Sequence, residues 1–341
     1  MSENPMGFYF ASVAGFRDSI LVRVAAQLGL ADYLKEGAKT SAELSQATDT
    51  EADSLYRYLR TLAGLGLLSE GPTKGSFVLT PTGDFLRSDH PQSVRDFVLF
   101  AAAEESYRSW GHLLDSLRTG KPSFDTLYGQ KYFDYVDGTP AYRHAFDVFM
   151  AQGAFLGRAA LIAAYDFSSF GRLADIGGGQ GAFLAAVLRQ NPGLTGVLFD
   201  LPPVLQAAQA EWTASGMDDR CAFIGGTFFD SVPPGCDGYV LMRILHDWDD
   251  GPALTILQSC RAAMTATSKL LVCDQVLPAI VTTPPPAGTN IYLDLEMLTH
   301  LGGRERTEAE FSALFSKAGL RLSRVINVPE AGLAIVEGVS A

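Results

Sequence analysis

Leu173-Ala174-Asp175-Ile176-Gly177-Gly178-Gly179-Gln180-Gly181-Ala182-Phe183 sets a short apolar strand with an acidic residue ahead of a glycine turn, and an apolar helix follows through Leu188. Glycines at 177, 179 and 181 allow positive φ and let the backbone approach a ligand with no Cβ in the way. The helix beyond them begins with N–H groups that lack intrahelical partners. Strand, glycine turn and helix in this order predict the first βα turn of a doubly wound, nucleotide-binding α/β sheet.

The same glycines also satisfy Gly-x-Gly-x-x-Ala, so by themselves they do not choose between NAD and S-adenosylmethionine. Asp175 decides the reading. A carboxylate there suits a cationic amino-acid tail and repels a pyrophosphate, which favours S-adenosylmethionine. Asp200, in Leu198-Phe199-Asp200-Leu201-Pro202-Pro203, ends the next expected strand 23 residues beyond Gly177. A carboxylate at that place meets the hydroxyls of an adenosine ribose. An NAD-dependent oxidoreductase is the reading from another class, but no Tyr-x-x-x-Lys pair accompanies the turn.

The chain has 341 residues, enough for two domains. Hydrophobic residues make up 47% and the net charge is −12, which argues against a nucleic-acid or anionic-membrane partner. No stretch reaches the roughly 20 apolar residues needed to cross a bilayer. Residues 1–11 carry no basic segment ahead of an apolar run, so no secretory signal is expected and the cytoplasm is the expected compartment. Cys221, Cys236, Cys260 and Cys273 are scattered, predicting free thiols rather than disulfides or a zinc site.

Residues 1–98 read as helices with a small wing. Phe16, Ile20, Val24 and Leu28 recur every four residues as an apolar helical stripe. Thr40-Ser41-Ala42-Glu43 is a capping box. A helix from about Glu51 carries Leu55, Leu59 and Leu62 on one face, Phe77-Val78-Leu79 makes a strand, and Thr80-Pro81 opens another helix. The order describes a winged helix. Five basic side chains in residues 39–88 meet six acidic ones, which predicts dimerisation instead of DNA binding. Residues 99–160 are expected to be linking helices rich in aromatics, and 161–341 the nucleotide-binding domain. Its strands are expected near 172–176, 195–200, 222–225, 238–245, 269–276, 322–328 and 332–338, with a proline-rich loop over 278–288.

Chemistry concentrates in three places. Leu241-Met242-Arg243-Ile244-Leu245-His246-Asp247-Trp248 is read as an apolar strand carrying His246 to its C-terminal end, where open α/β sheets bind ligands. An imidazole there can take a proton from a phenol or an acidic carbon. Asp274 ends the following strand. Glu305 stands in Gly302-Gly303-Arg304-Glu305-Arg306-Thr307, just before a helix capped by Thr307 and Glu310. A carboxylate on the imidazole fixes its tautomer and stabilises the imidazolium.

With these motifs in place, the chain resembles the S-adenosylmethionine-dependent O-methyltransferases related to plant caffeate methyltransferase and to bacterial enzymes that tailor polyketides and phenazines. The resemblance rests on Asp175–Gly181, Phe199–Pro202, Leu245–Trp248 and Gly302–Thr307, and it covers nearly the whole chain. It implies a class I methyltransferase sheet behind an N-terminal, mainly α, winged-helix dimerisation domain, acting as a homodimer on a small aromatic acceptor. It implies His246 as general base flanked by Asp274 and Glu305. It implies Arg143, Gly177, Gly179, Asp200, Thr227, Phe228 and Met242 around the cofactor, and Phe146, Phe149, Met150, Met297 and His300 around the acceptor.

Two departures from the family pattern stand out. Gly226-Thr227-Phe228-Phe229 replaces a run in which relatives carry a carboxylate for the adenine amine. Exchanging a charged acceptor for the Thr227 hydroxyl costs about 1 kcal/mol. Met242 stands where many relatives place a polar side chain. Besides base-assisted O-methylation, the residues leave open a metal-assisted C-methylation of an aromatic 2-oxo acid through His246, Asp247 and His300. A cofactor-binding pericyclase or hydroxylase is the remaining reading.

Overall fold

The computed structural model describes residues 5–341. The chain divides into two compact units: residues up to Arg108 with Phe133–Met150, and Ser109–Tyr132 with Ala151–Ala341. The stretch 99–160 is therefore shared between them.

In the first unit the local signals act as their chemistry dictates. Thr40 Oγ1 accepts from the Glu43 backbone N–H at 3.2 Å while Glu43 Oε2 accepts from the Thr40 N–H at 2.7 Å, and the helix Ser41–Thr48 starts there. The next helix, Ala52–Gly64, turns Leu55, Leu59 and Leu62 into a core shared with Leu30, Leu44 and Phe77. Strands Lys39–Thr40, Ser76–Leu79 and Leu68–Glu70 form the wing, in that order. The helix after Thr80-Pro81 is one turn long, Pro81–Asp84. The N-terminal helix runs Pro5–Gln27, so Leu28 falls just beyond it. Phe16 and Ile20 of the apolar stripe are 44% and 41% exposed, and Met6, Phe8, Tyr9, Phe10 and Val13 are exposed with them. The Phe16 and Ile20 end of the stripe is not part of the chain's own core, whereas Leu28 packs against it.

The second unit is built on a seven-stranded sheet in the order Leu320–Val328, Leu333–Ser340, Lys269–Asp274, Gly238–Met242, Arg172–Ile176, Thr195–Asp200, Cys221–Gly225. Only Leu333–Ser340 runs against its neighbours. Alternate residues feed opposite faces: Leu173, Leu198, Val240 and Leu271 enter one core, and Ala174, Val197, Leu241 and Val272 the other. Burial on both faces explains the unbroken apolar runs in these strands. Residues 278–290 hold no helix or strand. The strand order reverses between Arg172–Ile176 and Gly238–Met242, and the crevice at such a reversal is where doubly wound sheets bind ligands.

One strand is shorter than its sequence suggests. The apolar run from Gly238 was expected to reach Leu245, but the strand stops at Met242. Arg243 takes φ 54°, which breaks the ladder, and Leu245–Asp247 form a single 3₁₀ turn. His246 therefore sits on a turn beyond the strand, not on its tip.

Candidate active site

The glycine turn forms one wall of the crevice. Gly177 has φ 68°, and a Cβ there would lie 2.7 Å from Ile244 Cδ1 and 3.3 Å from the Phe228 ring. Only glycine lets the segments after the two central strands close together this way. Gly179 has φ 58° with open space where a Cβ would stand, and its N–H donates to Asp200 Oδ2 at 2.8 Å. Asp200 also accepts from the Leu201 N–H at 2.7 Å, so the tip of the second strand pins the turn. Thr227 Oγ1 accepts from the Phe229 N–H at 3.3 Å. Phe228 and Phe229 pack edge to face, and Phe229 meets Trp248 the same way.

Asp175 departs from its expected role. Its side chain is buried, and a Cβ on Gly178 would fall 2.6 Å from its Cγ. The carboxylate props the turn from beneath and is not presented to a ligand. Burial, with Asp200 nearby, pushes it up to about 7.

The His246 turn is gripped from the Gly302–Thr307 segment, residue by residue. Gly303 approaches so closely that a Cβ would be 2.0 Å from the His246 carbonyl oxygen. The Arg304 N–H donates to that oxygen at 2.9 Å. Glu305 Oε1 lies 2.8 Å from His246 Nδ1. Arg306, fully buried, donates to the Leu245 carbonyl at 2.9 Å and the Trp248 carbonyl at 2.9 Å, and is tied to Asp250 Oδ1 at 3.0 Å. Thr307 then caps the helix Glu308–Lys317 in a capping box with Glu310.

His246 is 5% exposed and surrounded by carboxylates. Burial alone would lower the imidazole, but Asp247, Glu305 and Asp274 outweigh it and push His246 up to about 9. Asp247 Oδ1 lies 3.4 Å from Nε2, and burial raises that carboxyl to about 7 against the pull of His246. Asp274 is fully buried at the end of its strand. Among the described residues neither of its oxygens has a hydrogen-bond partner, and burial raises it to about 6. Asp274 thus acts on His246 through its charge and not through a hydrogen bond.

The remaining expected site residues fall in both units. Met297 and His300 lie on the helix Leu293–His300 of the second unit, both buried. Met242 ends its strand, half-buried. Phe146, Phe149 and Met150 belong to the first unit, where Phe100 packs on Phe149 at 4.6 Å and Phe146 at 5.8 Å between ring centres. Arg143 is in the first unit too, with its guanidinium held by Asp147 at 3.0 Å and by Asp137.

A profile of the O-methyltransferase domain matches residues 110–321, and one of the O-methyltransferase dimerisation domain matches residues 10–89. The chain belongs to the O-methyltransferase family. It is an S-adenosylmethionine-dependent methyltransferase. Phenazine O-methyltransferase PhzM of Lysobacter antibioticus is 40% identical over 325 residues, covering 95% of this chain and 93% of that protein. The mitomycin biosynthesis 6-O-methyltransferase of Streptomyces lavendulae is 36% identical over 316 residues, covering 93% and 89%. The O-methyltransferase NcsB1 from neocarzinostatin biosynthesis, solved with S-adenosylmethionine and 2-hydroxy-5-methyl naphthoic acid, matches with a TM-score of 0.84 at 34% identity over 95% of this chain and 96% of that one.

Within this methyltransferase, Gly303, Arg304, Arg306 and Ile244 contribute to the site although sequence reading gave them no role. The only signal for the first three was their membership of the Gly302–Thr307 run. The three residues of the metal-assisted alternative do not assemble: among the described residues no group of three His, Cys, Asp or Glu side chains could hold a metal ion. His300 Nδ1 turns instead toward the Glu296 carbonyl at 3.1 Å.

Proposed function

We propose that the enzyme methylates a hydroxyl, phenolic in kind, of a small aromatic natural product, with His246 Nε2 as general base. The observation that carries this reading is the buried His246 Nδ1–Glu305 pair at 2.8 Å. A carboxylate on Nδ1 places the ring proton there and leaves the Nε2 lone pair to receive another. A phenol ionises near 10, and a base pushed up to about 9 is well matched to it.

Bound S-adenosylmethionine supplies an electrophilic methyl group on a sulfonium. Asp200 would accept from its ribose hydroxyls, and Phe228 and Thr227 would border its nucleoside. The backbone of the Gly177–Gly179 turn leaves room for a close approach. His246 Nε2 would take the hydroxyl proton, which leaves the acceptor oxygen as the phenolate nucleophile that this methyl group calls for. Glu305 and the neighbouring carboxylates stabilise the imidazolium that results. The rest is positioning and exclusion of water.

The aromatic acceptor is supported by NcsB1, which carries a naphthoic acid, and by the phenazine and mitomycin enzymes among the relatives. A homodimer is supported by the dimerisation-domain match. A second copy would cover the exposed apolar face of the helix Pro5–Gln27, which single chains rarely leave to water.

The test is S-adenosylhomocysteine release across phenols and aromatic 2-oxo acids, with and without chelator. Turnover of a phenol that ignores chelator and is lost in His246→Ala supports the reading. Chelator-sensitive turnover of a 2-oxo acid alone overturns it.

A further inference from the structure

Glu305 holds the ring of His246, and its own backbone is held from a third element. The Arg304 N–H donates to the His246 carbonyl oxygen, but the next N–H, that of Glu305, donates to Asp294 Oδ1 at 2.8 Å. Asp294 stands in the first turn of the helix Leu293–His300 and is half-buried. Tyr292, at the head of that helix, supplies no side-chain cap. The Asp294 carboxylate is turned instead across to the Gly302–Thr307 segment. A charged acceptor on a backbone N–H makes a shorter and stronger bond than a neutral one.

The start of this helix is in turn anchored to the strand that ends beside the base. Gln275 follows Asp274 and is buried, and its amide grips the backbone of Asn290 twice. Oε1 accepts from the Asn290 N–H at 2.6 Å, and Nε2 donates to the Asn290 carbonyl at 3.1 Å. Asn290 Oδ1 accepts from the Tyr292 N–H at 3.0 Å, which leads the chain into the helix. Beyond Gln275, Val276 and Leu277 pair in parallel with Arg306 and Thr307. Glu305 therefore lies between two fixed points, the short ladder at Arg306 and the Asp294 bond at its own N–H. With Oε1 already 2.8 Å from Nδ1, a shift of the Glu305 backbone lengthens and weakens that bond.

We infer that Asp294 is a positioning residue for the reaction, setting through the Glu305 N–H the place of the carboxylate that orients His246. The inference rests on the base-assisted reading above and adds a residue to it. Without Asp294, Glu305 keeps its charge but loses a contact that fixes its distance from Nδ1. Small misplacements of the groups around a reacting atom lower the rate steeply. Asp247 and Asp274 also raise the ring, so loosening Glu305 lowers the imidazole only part of the way.

The test joins NMR titration of the histidine rings, with His246→Ala identifying the His246 signal, to steady-state rates across pH on a phenol that the wild type methylates. Asp294→Ala should lower the His246 pKa by about half a unit or more and kcat about tenfold. The rising limb of the pH–rate profile should move down with the ring, and affinity for S-adenosylhomocysteine should be unchanged. Asp294→Asn, whose amide oxygen can accept the same N–H, should restore most of the ring pKa and most of the rate. Asp294→Leu, which fills similar space without an acceptor, takes the place of Asp294→Ala if that variant does not fold. An unmoved ring and limb overturn the inference even where kcat falls, because a merely structural loss lowers the rate without moving either. Equal impairment in Asp294→Asn and Asp294→Ala overturns it too, since the lost charge would then be the cause. Absence of methyl transfer to any phenol would instead count against the base-assisted reaction, and the NMR comparison would still report on Asp294.

Discussion

Glu305 Oε1 and His246 Nδ1 stand 2.8 Å apart in a buried pair whose members are 59 residues apart in the chain. The bond sets the tautomer of the base, so replacing the carboxylate alters its chemistry while leaving the cradle for the cofactor alone. Glu305→Gln should lower kcat about 10²-fold or more with little change in affinity for S-adenosylhomocysteine. Loss of a negative charge beside the imidazolium should also move the rising limb of the pH–rate profile to lower pH. Stopped assays from pH 6 to 10 check both, and an unmoved limb would falsify the assignment of Glu305 to the base.

Activity and stability should respond to pH in opposite directions. An imidazolium cannot accept a proton, so kcat/KM for a phenol should rise from pH 7 toward about 9 as His246 deprotonates. His246 is raised from 6.5 in the folded state, so its stabilisation is complete below 6.5 and is lost as pH climbs through about 9. Asp247 and Asp274, raised from 3.8 to about 7 and about 6, act in the same sense over a lower range: their contribution fades as pH rises. Denaturation midpoints should therefore fall between pH 6 and 9 while the rate increases.

Arg306 is expected to matter for position and fold together. Arg306→Met leaves the Leu245 and Trp248 carbonyls without their donor and should cost about 3 kcal/mol, with a drop in kcat larger than any rise in KM. Arg306→Lys should recover stability better than rate, because an ammonium cannot reproduce the planar fork across the two carbonyls. Urea unfolding alongside steady-state kinetics separates the two effects. Equal recovery of both in Arg306→Lys would argue for packing alone.

Gly303→Ala inserts a methyl 2.0 Å from the His246 carbonyl oxygen. Either the segment withdraws or the turn shifts, and the expected loss is about 2–3 kcal/mol with severe loss of activity. A variant with wild-type melting temperature and rate would show that this approach is unnecessary.

Gly177→Ala tests the cofactor cradle without touching the base. The residue sits at φ 68° against Ile244 and Phe228, so an added methyl strains the turn and closes the crevice. Affinity for S-adenosylhomocysteine should fall at least tenfold, and the thermal shift on adding it should shrink accordingly. Undiminished calorimetric affinity would place the cofactor elsewhere.

What the sequence by itself determined is what a few neighbouring residues determine physically. The capping boxes at Thr40 and Thr307, the positive φ of Gly177, Gly179 and Gly181, and the buried strands of the sheet are each set by local sterics, local hydrogen bonds or continuous apolarity. Tertiary structure decided the rest. Nothing near Arg243 in the chain announces the left-handed residue that ends its strand and throws His246 onto a separate turn. Asp175 and Asp274 read alike as carboxylates at strand ends. One is enclosed beneath its own turn, and the other faces the base without a hydrogen bond, because neighbouring elements set the space each can occupy. The four backbone and side-chain bonds that hold the His246 turn come from a segment nearly sixty residues away. The ring contacts that His300 makes with Phe124 and Tyr132 likewise join segments far apart in the chain, which no local pattern of residues specifies.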